Sequence, residues 1–428
     1  MKKTAILLLL ANSSLWAATL PQDDGYQHTG VATCATSQCH GKAAKEEEGN
    51  VWLNEYRIWS NDDYHSRAFQ VLRNDESKAI AANLGLANAL NAKICLDCHA
   101  DNVAAELRGQ KFQLSDGVGC EACHGGAQNW LESHTEAGAT HENNLSRGLY
   151  PMADPVDRAH LCLSCHLGTK DKFTTHAIMA AGHPRLSFEL DTFTANQPAH
   201  YAFDADYKQR KRDYAIGYLW LVGQVEAAKR QLELIDQHQL QKSIAAGMIE
   251  FSIYDCHSCH QPMKPVRGRP NDLSAQLPSG GLRLSDQAFD MLVVAIEILS
   301  PGQSASFTNA VKNLHNAYDK PQQITAALAE MGSQLDTFMQ GINATSLNAS
   351  TMSRVRKTIG ANCASGRYAD YSSAEQAFLG MEAISYSIGD RDKILTSLDA
   401  AYATLKNEHT YEPAALRAAC RTLSGVLP

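Results

Sequence analysis

The stretch CLDCH at residues 95–99, followed by GCEACHGGAQNWLESH at 119–134, decides how the chain reads. Cys95, Cys98 and His99 form one Cys-x-x-Cys-His motif, and Cys120, Cys123 and His124 form a second. The pattern is the attachment signal for c-type haem. Two thiols add across the vinyl groups of a porphyrin, and the adjoining His ligates the iron from one face. Copies this near in sequence bring two cofactors near in space, because so short a folded segment cannot reach far.

Outward from this stretch the signal recurs. Cys162, Cys165 and His166 make a third motif, and Cys256, Cys259 and His260 a fourth. Cys34-Ala-Thr-Ser-Gln-Cys39-His40 is a fifth, with two extra residues between its cysteines. A lone CxxC reads equally well as a zinc knuckle or a redox pair. Neither reading accounts for a His directly after the second Cys in every case. The expectation is five covalently bound c-type haems, with His40, His99, His124, His166 and His260 as the proximal ligands.

Of the twelve cysteines these motifs use ten, leaving Cys363 and Cys420. In an oxidising compartment that pair reads as a disulfide. The start of the chain supports export. Lys2 and Lys3 precede an apolar run from Ala5 to Leu10, and Ala17 and Ala18 supply small residues, so 1–17 reads as a cleaved signal peptide. No internal run is long enough to span a membrane. The formal charge is −8. Loss of Lys2 and Lys3 and the gain of haem propionates make the mature protein more acidic still. That balance argues against nucleic acid, which demands a basic footprint, and suits steering toward a basic redox partner.

The expected fold is mainly α. Residues 18–270 read as a pentahaem domain of loops and short helices, in which stacked porphyrins replace much of the side-chain core. Within it Leu221, Val225, Ala228, Leu232 and Ile235 mark a long helix near 207–239. Pro and Gly make 271–284 a linker. Beyond it, Phe289, Leu292, Val293 and Ile296 begin a set of apolar stripes that reads as a helical C-terminal domain over 285–428, of four or five helices.

The sixth ligand decides what each iron can do: a second His restricts it to outer-sphere electron transfer, and an open face admits a small molecule. Twelve His remain after the proximal five, enough for every vacancy by count. His65, His134, His176, His183 and His200 lie in the most suggestive contexts. His257, inside the fourth CxxCH copy, is a further residue placed close to a haem.

Several segments resemble the cytochrome c-554/c-prime family of multihaem cytochromes. They are WSNDDYHSRAF (59–69), GVGCEACHGGAQNWLESH (117–134), AAGHPRLSFEL (180–190) and FSIYDCHSCH (251–260). The resemblance covers roughly residues 30 to 270. It implies that His65 and His134 are distal ligands, with His134 reaching back to the first haem, and that His183, His176 and His200 complete the set. It also implies stacked and perpendicular haem pairs like those of hydroxylamine oxidoreductase and pentahaem nitrite reductase. The stretched first motif, and His257 with Gln261 around the last haem, depart from the family's pattern. The haem on His99 is the one most open to five-coordination.

The expected function is periplasmic electron transfer between redox partners, either quinol-linked or soluble cytochromes. The rival is a multihaem oxidoreductase acting on a small nitrogen or sulfur compound, such as hydroxylamine, nitrite or tetrathionate, at one five-coordinate haem. Arg185, His160 and Tyr201 lie near the motifs but form no constellation, and no CxxCK occurs.

Overall fold

The computed structural model describes residues 18–428 apart from 48–50, 246, 248, 261–272, 275–276, 278–280 and 344. The expected signal peptide and half of the expected linker therefore lie outside the described residues. Among those described, twenty α-helices and eight 3-10 turns occur, joined by irregular loops, and extended pairing is limited to two isolated bridges. The fold is mainly α.

Two kinds of packing divide the chain. Up to about residue 200 the helices are short, from four residues at Val31–Cys34 to twelve at Pro155–His166. Their apolar clusters are small; one consists of Phe69, Leu72, Ala81, Ala89, Leu96 and Ala100. From Tyr218 onward the helices run to about twenty residues and share one continuous core reaching from Trp220 to Leu427. Each fully buried Leu, Ile or Phe in such a core stabilises the fold by about 1.5–3 kcal/mol before entropy is counted.

The long helix runs over Tyr218–Gln237 and buries Leu221, Val225, Ala228, Leu232 and Ile235, the stripe expected from sequence. It starts later than expected. Ala205–Arg210 is a separate short helix, and the polar run through Asp213 offers no apolar face to bury. Gly217 then turns the chain at φ +72, where an added Cβ would meet the Met352 side chain at 2.4 Å. The long helix packs on Pro155–His166 at one side and on Gln287–Leu299 and Pro321–Gly341 at the other, tying the haem-motif region to the helical one.

Seven helices lie beyond residue 285, more than the four or five expected. Proline opens several of them and divides what periodicity alone runs together, as at Pro301 and Pro321. Arg356, fully buried, donates to both oxygens of Asp390 and to Ser385. Cys363 and Cys420 form a disulfide between Ala349–Ser365 and Pro413–Val426, with Cα atoms 5.8 Å apart. The last haem motif is fastened to this region by backbone bonds. Asp255 N donates to Arg283 O (2.9 Å) and Ser285 N to Ile253 O (3.0 Å).

Candidate haem-binding site

Each CxxCH motif forms a short helical turn, and three of the four end on their His. Lys93–His99, Cys120–His124 and Pro155–His166 are α-helical, and Cys256–Ser258 is a 3-10 turn. This local winding puts both cysteines and the His of one motif on one side, as a single porphyrin requires. The first motif reaches a comparable closure across its longer insert: Cys39 N donates to Thr36 O and His40 N to Cys34 O. All ten motif cysteines are outside any disulfide.

The His of every motif faces a second His. His40 and His134 have ring centroids 6.3 Å apart, His65 and His166 6.2 Å, and His99 and His183 6.4 Å. His124 and His200 are at 6.2 Å, and so are His176 and His260. These are too far for direct ring packing and too uniform to be incidental. A metal bonded to two imidazole nitrogens at about 2 Å each puts the ring centroids roughly 6–6.5 Å apart. The residues therefore fit an iron between each pair. Ring planes are near-parallel for His40/His134 (10°), inclined at 35° for His176/His260, and crossed at 81–89° for the other three.

The outward ring nitrogens are held in a way that frees the inward ones. Nδ1 of His99 donates to Ala68 O (2.9 Å), of His134 to Leu131 O (2.5 Å), and of His183 to Pro184 O (2.8 Å). A carbonyl only accepts, so Nδ1 carries the proton and Nε2 keeps its lone pair for a metal. Carboxylates do the same for two others. His40 Nδ1 meets Glu55 Oε2 at 2.9 Å, and His65 Nδ1 meets Asp63 Oδ1 at 2.9 Å. Such partners orient the ring and raise its basicity as a ligand. Burial alone would push the Asp63 carboxyl up, but hydrogen bonds from His65 and Gln197 hold it down at about 2. Burial, with His200 and Lys211 nearby, drives His124 down to about 3, so its imidazole is neutral and ready to ligate.

Two further features bear on porphyrin carboxylates. A cavity of about 460 Å³ beside His200 is lined by Trp52, Tyr201, Tyr207, Asp204, Asp206, Arg210 and Lys211. Arg210 is paired with Asp206, and Lys211 forms no ion pair among the described residues. Arg158 is buried close to these tyrosines, and its Nη1 has no partner among the described residues. A buried guanidinium nitrogen without an acceptor is costly, and a haem propionate is an anion of the kind that would satisfy it.

The remaining histidines stand apart from these pairs. His28 is fully buried between Asp101 (2.7 Å) and Pro21 O (3.2 Å). His257 lies against Tyr371 with centroids 5.7 Å apart, and His315 bonds Asp286 at 3.1 Å. His160 accepts from Arg230 at 3.0 Å. Arg185 is engaged by Glu375 and Glu408, and spans from the HPRL segment to the helical region. Sequence reasoning did not find Glu55, Asp63 or the Ala68 carbonyl. The first two are acidic residues shortly before or after a candidate ligand, a weak signal in a chain this acidic. A backbone acceptor leaves no signal at all.

Residues 33–125 match the family described as cytochrome c554 and c-prime, which supports the resemblance read from sequence. No curated protein and no solved structure matches the chain. Together with the motifs, the match identifies a multihaem c-type cytochrome with covalently bound haem, a protein of electron transfer that works with redox partners. No helix among the described residues is long and apolar enough to cross a membrane.

Proposed function

We propose that the chain is an exported, periplasmic pentahaem cytochrome that relays single electrons between redox partners, with every iron held by two histidines. The observation that carries this reading is the set of five His pairs at 6.2–6.4 Å. On it, His134 serves the iron of His40, His65 that of His166, and His183 that of His99. His200 serves the iron of His124, and His176 that of His260. The haem of His99, the one most open to five-coordination on sequence grounds, then has His183 opposite.

Haem supplies the one-electron chemistry; the chain's part is to saturate the irons, exclude substrates and set the spacing. Spacing can be followed through the cysteines. The thiols of Cys34 and Cys120 interact, as do those of Cys98 and Cys165, and Cys123 is close to Cys162. The attachment edges then run in the order His40, His124, His166, His99. The fifth haem follows, because His183 and His176 share the segment around His176–Ala180. One end of the array lies among the early loops and the other beside the helical region, so donor and acceptor have separate places to dock. Quinol-linked proteins or soluble cytochromes are suitable partners.

The test is low-temperature EPR of the oxidised protein, with haem counted by pyridine haemochrome. Five haems per chain, all low-spin, is the expected result. Near-parallel and crossed imidazoles split the iron orbitals differently, so one rhombic signal should stand apart from three strongly anisotropic ones. A high-spin component that responds to nitrite or hydroxylamine would overturn the reading in favour of catalysis.

A further inference from the structure

Lys172 is placed where lysine is seldom found. It is 7 % exposed. Its Nζ donates to Asp97 O at 3.1 Å and contacts Cys165 Sγ at 3.3 Å, and it also reaches Gln22 Oε1. Asp97 sits between the cysteines of one haem motif, next to Cys98, and Cys165 belongs to another. The ammonium thus touches two attachment sites at once. A short turn holds it there. Gly168 leaves Pro155–His166 at φ +116, where a Cβ would lie 2.3 Å from that of Phe173. Thr169 N donates to Lys172 O (2.6 Å), and Thr169 Oγ1 accepts from Lys172 N (3.2 Å).

The charge has little to offset it. Among the described residues no carboxylate pairs with Lys172. Asp97 turns its own carboxylate to Lys93 and Asn102. A haem carries its propionates on the edge away from its thioethers, so those of these two haems would lie away from the ammonium. A cation buried in low dielectric acts strongly on nearby charge. Reduction of a ferric iron adds one electron, delivered here by the neighbouring haem, and lowers the local positive charge. A fixed cation favours that step.

We propose that Lys172 is a potential-setting residue shared by two haems, those attached through Cys98 and Cys165, and that it raises the reduction potentials of both together. Because one ammonium serves both, the step between them is little altered while both shift upward relative to the rest of the array. Lys172 is a positioning charge, acting through the cofactors, and the inference rests on the pentahaem reading above.

The experiment is an EPR-monitored redox titration of the holoprotein as wild type, Lys172→Met, Lys172→Arg and, as an exposed control, Lys170→Met. In Lys172→Met two midpoints should fall, each on the order of tenfold in the one-electron equilibrium constant, or about 59 mV. Both should belong to crossed-imidazole signals, since His99/His183 and His65/His166 meet at 83° and 89°. The near-parallel signal of His40/His134 should not move, Lys172→Arg should stay within threefold of wild type, and Lys170→Met should match it. If Lys172→Met does not load haem, Lys172→Gln carries the test with the Asp97 hydrogen bond kept. Unchanged midpoints, a shift spread over all haems, or an Arg variant that behaves like Met would overturn the inference. Failure of the parent reading is separate, and shows as fewer than five haems in the wild type.

Discussion

The haem-motif region and the helical region are built from the same kinds of residue by opposite means. In the helical region Phe289, Phe307, Met331, Leu335 and Phe338 are all essentially inaccessible to water, and their helices are long enough to present whole faces. In the haem-motif region the helices are a few turns at most, the clusters hold a handful of alanines and leucines, and the buried set includes Asp63, Asp97, Asp101, Glu121 and Lys172. The first region can order itself by burying its own side chains. The second has little apolar area of its own, and covalently bound porphyrin would supply the rest. The difference is one of cofactor dependence, and it can be broken or sharpened by experiment.

The largest effect is expected from withholding haem. A chain made without haem attachment should lose hydrogen-exchange protection across 18–200, while Leu292, Val355 and Ile384 stay protected in their helices, because exchange reports the stability of each cooperative unit. Equal loss in both regions would show that the comparison is wrong. Next is Asp390→Ala, which strands the fully buried Arg356 and should cost about 3–5 kcal/mol, confined to the helical region by the same exchange readout. Removing the disulfide by Cys363→Ala with Cys420→Ala should cost about 2–4 kcal/mol for a loop of this length and leave the haem spectrum unchanged. The smallest effect is on the haem side. Asp63 is depressed to about 2, so its stabilising contribution is complete above the ordinary aspartate value of 3.8 and disappears as pH falls through about 2. It amounts to no more than about 2 kcal/mol. Asp63→Asn should remove that slope from acid unfolding followed by low-spin haem absorption.

The two regions also differed in how far they could be read in advance. The attachment sites are local patterns, and the spacing of two thiols and an imidazole is visible without any tertiary structure. Histidines 65, 134, 176, 183 and 200 could be nominated from their neighbours. Beyond His134, which the resemblance aimed at the first haem, which faces which could not be read, since partners such as His65 and His166 meet from distant parts of the chain. The apolar stripe of the long helix was legible. Its start was not, because Gly217 answers to Met352, far along the chain. Lys172 gave no sign of its role, because burial of a lysine is a property of what surrounds it.

The His pairs have an order in time as well as in space. As the chain is made, His65 precedes His166 and His176 precedes His260, so these two attachment sites meet a partner that already exists. For His40, His99 and His124 the facing residues, His134, His183 and His200, come later. Glu121 adds a second delay, since it clamps the backbone at Thr29 and Gly30, just ahead of the first motif. The first site to emerge is therefore among those finished late. On the proposed pairing, the early sites have a single histidine until the later residues are made.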